Sequence, residues 1–224
     1  MDAWRHRDIH DELADLTRMP VYLQNNATAA CGAELVFGTG PRPRDFLYFY
    51  VAHLIGGGVA LNGQLYTGRS GNAGALGSMP VPAPGGGLRQ LTSVASLASL
   101  ESYLQAEGGA ADRLWETPPG WSAPEPILAR WIEEAATGIA HAILGATALL
   151  DIDTALIDGW MPAPVRARLV EATAARLAHA DRTGIELPQI HPGSIGSRAR
   201  QLGAASITLS QRYLVDENAL LTLG

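Results

Sequence analysis

The stretch VYLQNNATAACGAELVFG, from Val21 to Gly38, carries most of the information in this chain. Its apolar start predicts a short buried strand, and its alanine-rich end predicts a helix over Ala27–Phe37. Two asparagines, Asn25 and Asn26, lie at the junction, where chains of this shape often hold a carboxylate that activates a hydroxyl. Because an amide is not a base near neutral pH, the junction predicts hydrogen bonding without proton transfer. A simpler interpretation also stays open, in which the two amides cap the helix.

The composition is that of a globular protein and excludes several classes of site. The 224 residues are 47% apolar and 17% charged, with a formal net charge of −6, which argues against unaided binding to a nucleic-acid backbone. All 16 basic residues are arginine, so the lysine of a P-loop is missing. The single cysteine, Cys31, allows neither an intrachain disulfide nor a thiolate zinc cluster.

The N-terminal residues contain no apolar signal core. The longest nearly apolar run, Ile139 to Leu150, is shorter than the ~20 residues that span a bilayer. A cytoplasmic protein without membrane contact is therefore expected.

The spacing of apolar residues predicts an α/β fold in which helices cover a parallel or mixed sheet. Phe46 to Gly68 predicts a meander of two or three strands around a glycine turn, and Val81 to Gly87 predicts a loop. The clearest helix is Ser122 to Leu150, with Ser122 as its N-cap. The other predicted helices are Met1–Arg18, Ser93–Gln105, Pro164–Ala180 and Arg198–Leu214, and the later strands are Leu150–Ile157, followed by an Asp158-Gly159 turn, and Ile185–Ile190.

Four separated blocks of sequence resemble one family. They are VYLQNNATAACGAE, IGGGVALNGQLYTGRSGNAGALGSMPV, DTALIDGW and IHPGSIGSRARQLGAAS. In this order they resemble the ROK family, which includes sugar kinases and sugar-responsive transcriptional repressors. The resemblance implies the actin-like ATPase (ribonuclease H-like) fold, mainly its C-terminal lobe. Residues 1–38 are then expected to be the tail end of the N-terminal lobe and a crossover helix, and residues 39–224 the C-terminal lobe. The N-terminal lobe and any helix-turn-helix are expected to be absent from this chain.

The resemblance implies that the sugar pocket is kept in part and that its catalytic base is lost. Asn26 occupies the position of the family's general base, and Asn25 keeps a sugar-contacting amide. The family's sugar-binding Glu and His correspond to Ala75 and Ser78, beside a retained Asn72. No catalytic residue is expected, and the candidates for sugar binding are Asn25, Asn26, Asn72, Ala75 and Ser78.

The phosphate-binding loop of family kinases is altered in the same way. Its Gly-Thr-Gly, which lets backbone N–H groups approach ATP, corresponds to Ala52, His53 and Leu54, whose side chains would crowd a phosphate. The expected remnant of the nucleotide loop is His53, Gly56, Gly57 and Gly58. Two alternatives stay open, since a His in this turn need contact no ligand and a triple glycine serves a tight turn equally well.

Two further segments, which correspond to the family's zinc site and to a second part of its nucleotide site, say less about function. The family's zinc cysteines correspond to Thr92, Val94 and Ser99, so neither zinc nor any other metal is expected. His191 and Ser194 lie in a segment that resembles the one beside the family's nucleotide site, although a loop leading into a helix explains them as well.

Three functions remain open. The favoured one is a non-catalytic, sugar-sensing and oligomerising part of a ROK-family transcriptional regulator, with no cofactor. The second is a glucokinase-like sugar kinase using ATP and Mg²⁺. The third is a ligand-free dimeric remnant, paired through the apolar helix 127–150 and the last helix. The favoured function implies a sugar or sugar-phosphate effector, a homodimer, and DNA contact only through an N-terminal domain missing from this chain.

Overall fold

The computed structural model describes residues 7–41, 43–83, 85–117 and 120–213. Met1–His6 of the first predicted helix and Leu214 of the last lie outside these residues. The helices are α1 (Ile9–Thr17), α2 (Asn26–Phe37), α3 (Thr92–Ala95), α4 (Leu97–Ala106), α5 (Glu125–Leu150), α6 (Ala163–Ala178) and α7 (Ala199–Tyr213). The strands are β1 (Phe46–Val51), β2 (Ile55–Leu61), β3 (Gln64–Tyr66), β4 (Pro80–Pro82), β5 (Leu88–Gln90), β6 (Thr154–Gly159) and β7 (Gln189–Pro192).

A mixed five-stranded sheet, in the order β3-β2-β1-β6-β7, organises the molecule. The first three strands are antiparallel hairpin partners, whereas β1, β6 and β7 are parallel and are separated by helices. The Asn62-Gly63 turn between β2 and β3 has positive φ at both residues, as a tight hairpin requires. The predicted mixed sheet flanked by helices is confirmed.

The central strand β1 shows why helices cover the sheet on both faces. All six of its residues are buried, and they alternate between two apolar clusters. Leu47, Phe49 and Val51 belong to the cluster that contains α5, whereas Tyr48 and Tyr50 belong to the one that contains α2. Because successive side chains of a strand point to opposite faces, this single strand joins both halves of the core.

The long helix α5 uses its apolar face inside the chain. Trp131 and Ile139 are fully buried, and the Trp131 indole N–H donates to the Ser96 carbonyl and to the Ser99 hydroxyl, both at 3.1 Å. This face is therefore not exposed to a partner, whereas pairing through helix 127–150 requires an exposed apolar face. The helix starts at Glu125 without a side-chain cap, so the predicted cap at Ser122 is wrong.

Other local predictions also differ from the structure. Val21–Leu23 is not a strand, because no strand among the described residues pairs with it and Tyr22 and Leu23 are exposed. The predicted loop at Val81–Gly87 includes part of β4, which pairs with β5 in a small hairpin. Asp158 and Gly159 end strand β6 rather than forming the turn after it. None of the helices in the described ranges has the length and hydropathy of a membrane span.

Candidate functional site

A cleft of about 340 Å³ opens where helix α2 begins. The turn between β1 and β2 forms one wall and the start of α7 contributes to another. The lining residues are Asn25, Asn26, Ala27, Tyr50, Ala52, His53, Leu54, Ile55, Gly56 and Arg200. A second depression of about 220 Å³ runs along α2 and α7 and shares Asn26 and Arg200 with the first. We refer to both together as the α2 cleft.

The two asparagines at the start of α2 have different roles. The Asn25 side-chain oxygen accepts from the Ala27 N–H at 2.9 Å and from the Thr28 N–H at 3.5 Å, so Asn25 caps the helix. Asn26 is the first helical residue, and its exposed side chain lines both depressions. Capping and ligand contact are thus compatible at Asn25, whereas the amide of Asn26 is available to a ligand.

The turn between β1 and β2 is held from behind by the start of α4. The Leu97 N–H donates to the Ala52 carbonyl at 2.8 Å, and the Ala98 N–H donates to the His53 carbonyl at 3.1 Å. His53 and Leu54 are exposed at the cleft, where the His53 ring lies 5.3 Å from the ring of Trp115. The side chains predicted to crowd this loop therefore do line the cleft.

The floor of the cleft contains a tyrosine and an arginine. The Tyr50 hydroxyl donates to the carbonyls of Gly196 and Ser197 at 3.5 and 3.4 Å, and the Arg200 guanidinium lies 5.6 Å from the centre of the Tyr50 ring. Burial raises the pKa of the Tyr50 hydroxyl, and the charge of Arg200 opposes this rise. Tyr50 is therefore a neutral hydrogen-bonding group at physiological pH.

A buried carboxylate, which the sequence analysis took for part of a turn, supports this floor. Asp158 is fully buried and accepts from the Tyr48 hydroxyl at 3.0 Å, from Arg166 at 2.6 Å and from the Gly196 N–H at 2.8 Å. It thereby fixes the turn that leads into α7 and positions Arg200. The available signal was an acid ending an apolar strand, with an arginine eight residues later in a helix.

The triple glycine lies within strand β2 and serves its packing against α2. A methyl group on Gly58 would lie 2.5 Å from the Cys31 Cβ, and one on Gly56 would lie 2.7 Å from the Ala27 Cβ. Gly57 pairs with Phe49 across the antiparallel ladder. Of the predicted nucleotide-loop remnant, His53 and Gly56 line the cleft, whereas Gly57 and Gly58 do not.

The predicted sugar-pocket candidates separate into two groups. Asn25 and Asn26 line the α2 cleft. Asn72, Ala75 and Ser78 are exposed on the segment between β3 and β4 and are not among the lining residues. A role for these three in ligand binding stays a prediction.

The segment predicted beside the nucleotide site is tied to the end of α2 instead. The Ser194 N–H and hydroxyl donate to the buried Glu34 carboxylate at 3.0 and 2.7 Å, and the His191 ring contacts the Gln189 side chain at 3.2 Å. Neither Ser194 nor His191 is among the residues that line the α2 cleft. Sequence reasoning placed neither Tyr50 nor Arg200 in the site, because their approach depends on tertiary structure.

Within the described ranges, one group of three side chains has metal-ligating atoms close together. Asp8, His10 and Asp11 bring these atoms within 4.8 Å of one another beside the first turn of α1. None of the three lines the α2 cleft. Exposed acidic groups of this kind are common without an ion, so the cluster does not define a metal centre.

The sequence of this chain is similar to those of known sugar-related enzymes and regulators. The bifunctional enzyme NanE/NanK of Brucella melitensis is 33% identical over 189 residues, which are 84% of this chain and 35% of that protein. The xylose repressor of Bacillus subtilis is 33% identical over 78 residues, or 35% of this chain and 20% of that protein. The chain thus spans about a third of the length of the enzyme it matches over most of its own length.

Solved structures show the same fold. A ROK family glucokinase from Streptomyces griseus, in complex with glucose and AMPPNP, has a TM-score of 0.70 at 19% identity, over 91% of this chain and 73% of that one. A ROK family transcriptional regulator, described as a homologue of the Escherichia coli MLC protein, has a TM-score of 0.63 at 20% identity, over 90% and 55% of the two chains. The family model for ROK matches residues 2–211. Since that match covers nearly the whole sequence, this chain belongs to the ROK family.

Proposed function

We propose that this chain is the sugar-sensing and oligomerising part of a ROK-family transcriptional regulator, which binds a sugar without phosphorylating it. One observation carries the proposal. The described residues that line the α2 cleft include no carboxylate, and Asn26 stands where the family resemblance expects the general base. An amide does not accept the hydroxyl proton that a sugar kinase must remove.

The turn beside the cleft is also poorly suited to hold a triphosphate. Phosphoryl transfer depends on positioning and on stabilisation of charge by donors aimed at the phosphates. The Ala52 N–H already donates to the Leu54 carbonyl at 3.2 Å, and the side chains of His53 and Leu54 line the cleft at this turn. Fewer backbone donors are therefore free than in a glycine loop of the kind that cradles phosphates.

The groups that remain are suited to recognition. The amides of Asn25 and Asn26 offer donors and acceptors to hydroxyls, and the cleft volume is that of a small-ligand site. The xylose repressor and the MLC-like regulator among the relatives support a regulatory role. DNA contact, in this proposal, belongs to an N-terminal domain outside this sequence, and the protein acts in the cytoplasm.

Oligomerisation is the second part of the proposal. Because the apolar face of α5 is used inside the chain, pairing would use other exposed apolar side chains. Leu149 and Leu150, at the end of α5, and Ile9, Leu13 and Leu16 of α1 are such residues. Sedimentation analysis is expected to give a mass of twice 23.6 kDa, and a monomer at micromolar concentration would contradict this part.

A sugar kinase is the second candidate. The identity to the bifunctional NanE/NanK enzyme over 84% of the chain favours it, and His53 is the one imidazole among the described residues that line the cleft. Under this alternative, His53 would take the place of the missing carboxylate as the proton acceptor.

The deciding experiment combines ligand binding with turnover. Glucose, mannose, xylose and N-acetylmannosamine are each titrated in thermal melting, and ATP hydrolysis is measured with each sugar and Mg²⁺. We expect a saturable rise in melting temperature with at least one sugar and no turnover. Asn26→Ala is expected to remove the rise, whereas Gln105→Ala, at an exposed position of α4, keeps it.

Two results would overturn the proposal. Turnover by the wild-type chain that is lost in His53→Ala would establish the kinase. No response to any sugar would leave the ligand-free dimeric remnant as the better description.

A further inference from the structure

A buried polar cluster connects the start of α4 to the core face of α5. It consists of Ser96, Ser99 and Trp131, and we refer to it as the serine–tryptophan cluster. The Ser99 hydroxyl donates to the Ser96 carbonyl at 2.6 Å and accepts from the Trp131 indole N–H at 3.1 Å. The Ser96 hydroxyl oxygen accepts from the Ser99 N–H at 3.2 Å, so it caps the helix. These bonds hold the first turn of α4 against the core.

The same turn of α4 holds part of the α2 cleft. The first N–H groups of a helix have no partner inside that helix. In α4, the N–H groups of Leu97 and Ala98 donate outward to the carbonyls of Ala52 and His53. Two consecutive residues of the β1–β2 turn are therefore bonded to the part of α4 that the serine–tryptophan cluster fixes.

The β1–β2 turn brings His53 and Leu54 to the α2 cleft. Both side chains are exposed, so close packing does not hold the turn at these two residues. Side chains that line a site keep their positions only where a rigid second layer of contacts supports them. For this turn, the start of α4 supplies that layer.

The serine–tryptophan cluster lies in the segment that the family resemblance assigns to zinc. The positions of the zinc cysteines correspond to Thr92, Val94 and Ser99. These residues do not fit the ion, because zinc in proteins is held by thiolate, imidazole or carboxylate groups. The Val94 side chain has no ligand atom, and the Ser99 hydroxyl is already bonded within the cluster. That hydroxyl lies 3.0 Å from the Val94 carbonyl, so a direct hydrogen bond connects two of the three positions.

We propose that Ser99 and Trp131 are positioning residues of the α2 cleft, which hold the β1–β2 turn through the start of α4 by hydrogen bonds and without a metal. The inference rests on the proposed function in treating the α2 cleft as a ligand site. Neither residue is among the described residues that line the cleft. They act on it through the N–H groups of Leu97 and Ala98.

The first test follows the His53 ring by NMR in the whole chain with labelled histidine. This ring lies 5.3 Å from the Trp115 ring, whose ring current shifts the His53 signals. In Ser99→Ala we expect these signals to move towards those of a solvated histidine, because the turn is held less firmly. The signals of His141, which is exposed on α5, are expected to stay unchanged. A His53→Gln variant identifies which signals belong to His53.

A matched control separates positioning from a general loss of stability. Thr173→Val removes a buried hydroxyl that donates to the Leu169 carbonyl at 2.7 Å, in helix α6 away from the cleft. Like Ser99→Ala, it removes one buried hydroxyl group. It is expected to leave the His53 signals in place.

The second test measures binding of glucose, mannose, xylose and N-acetylmannosamine by titration calorimetry. For any sugar that binds the wild type, Ser99→Ala is expected to lower the affinity about threefold to tenfold, the range of one hydrogen bond, whereas Thr173→Val keeps it. Trp131→Phe is expected to act in the same direction. Because Trp131→Phe also leaves a cavity in the core, Ser99→Ala is the deciding variant. EDTA is expected to change neither the His53 signals nor the affinity.

The other outcomes separate this inference from the proposed function. If the His53 signals stay in place in Ser99→Ala, or move equally in Thr173→Val, the inference fails and the proposed function stands. The inference also fails if the signals move but the affinity for a bound sugar does not change, or if EDTA alters either readout. If no sugar binds the wild type, the proposed function fails, and the His53 signals alone then decide whether the cluster positions the turn.

Discussion

The contact between α2 and β2 and the cleft at the start of the same helix follow different rules. In the contact, Gly58 and Cys31 lie so close that a single added methyl group would collide. At the cleft, a few residues away, the side chains of His53 and Leu54 are exposed to solvent. Their size is therefore not limited by close packing of the kind found at Gly58. Packing against a backbone restricts residue size, whereas an open cleft restricts only chemistry. A chain can therefore change its site chemistry and keep its fold.

The strongest test of the packed region is its buried ion pair. Asp158→Ala would leave the partly buried Arg166 side chain without its counter-charge, and the free energy of unfolding is expected to fall by about 3–5 kcal/mol. Urea denaturation measures this change. Asp153→Ala, at an exposed position just before the same strand, is the matched control and is expected to cost less than about 1 kcal/mol. Equal effects of the two substitutions would show that Asp158 is not a structural centre.

The glycine contact is expected to give the next largest effect. Gly58→Ala would place a methyl group 2.5 Å from the Cys31 Cβ, so α2 and β2 must separate. The expected loss is about 1–3 kcal/mol in the free energy of unfolding. Gly40→Ala, where an added Cβ meets nothing within 4 Å, is the control. A neutral Gly58→Ala would mean that this contact adapts as freely as the cleft does.

Tyr103 is half-buried. It tests whether partial burial gives an effect on the free energy of unfolding that lies between those of buried and exposed positions. Burial, helped by a hydrogen bond to Glu134, raises the pKa of the Tyr103 hydroxyl from 10.0 to about 12. The folded state therefore loses stability relative to the unfolded state as pH rises from about 10 to about 12, and no change from this group is expected below pH 10. Urea denaturation across this range is expected to show a smaller fall in stability for Tyr103→Phe than for the wild type. Parallel curves for the two proteins would contradict the assignment.

The smallest effect is expected at the cleft. Leu54 is 61% exposed, so Leu54→Ser is expected to change the free energy of unfolding by no more than about 0.5 kcal/mol. Leu47→Ala, in the buried strand β1, is the contrasting substitution and is expected to cost about 2–5 kcal/mol. A large loss for Leu54→Ser would mean that the turn contributes to the core, and the difference between the two regions would disappear.

The sequence predicted the regular elements better than the site. The mixed sheet followed from helices that alternate with strands, and the helix after Asn26 followed from its alanine content. The prediction of a strand at Val21–Leu23 was wrong, because an apolar triplet forms a strand only where a neighbouring strand pairs with it. The prediction of a turn at the triple glycine was wrong. Glycine is favoured both in tight turns and where backbones pack closely, and the sequence does not distinguish the two.

The site itself depended on contacts between distant parts of the chain. Asn26, His53 and Arg200 line one cleft, and Asp158 positions the third of them through the turn at Gly196. The resemblance drew attention to the first two residues. No local pattern distinguishes Arg200 from Arg166, Arg168 and Arg176, because their different carboxylate contacts within the described ranges exist only in the folded chain.

The contact of Cys31 with Gly58 has a practical consequence. Burial raises the pKa of the Cys31 thiol well above its usual range, so this sole sulfhydryl is both inaccessible and protonated in the folded state. A thiol reagent can reach it only when helix α2 lifts from strand β2. The rate of Cys31 labelling therefore reports how often α2 separates from β2. The first residues of α2 line the cleft, so a ligand that binds there and stabilises the helix is expected to lower the labelling rate.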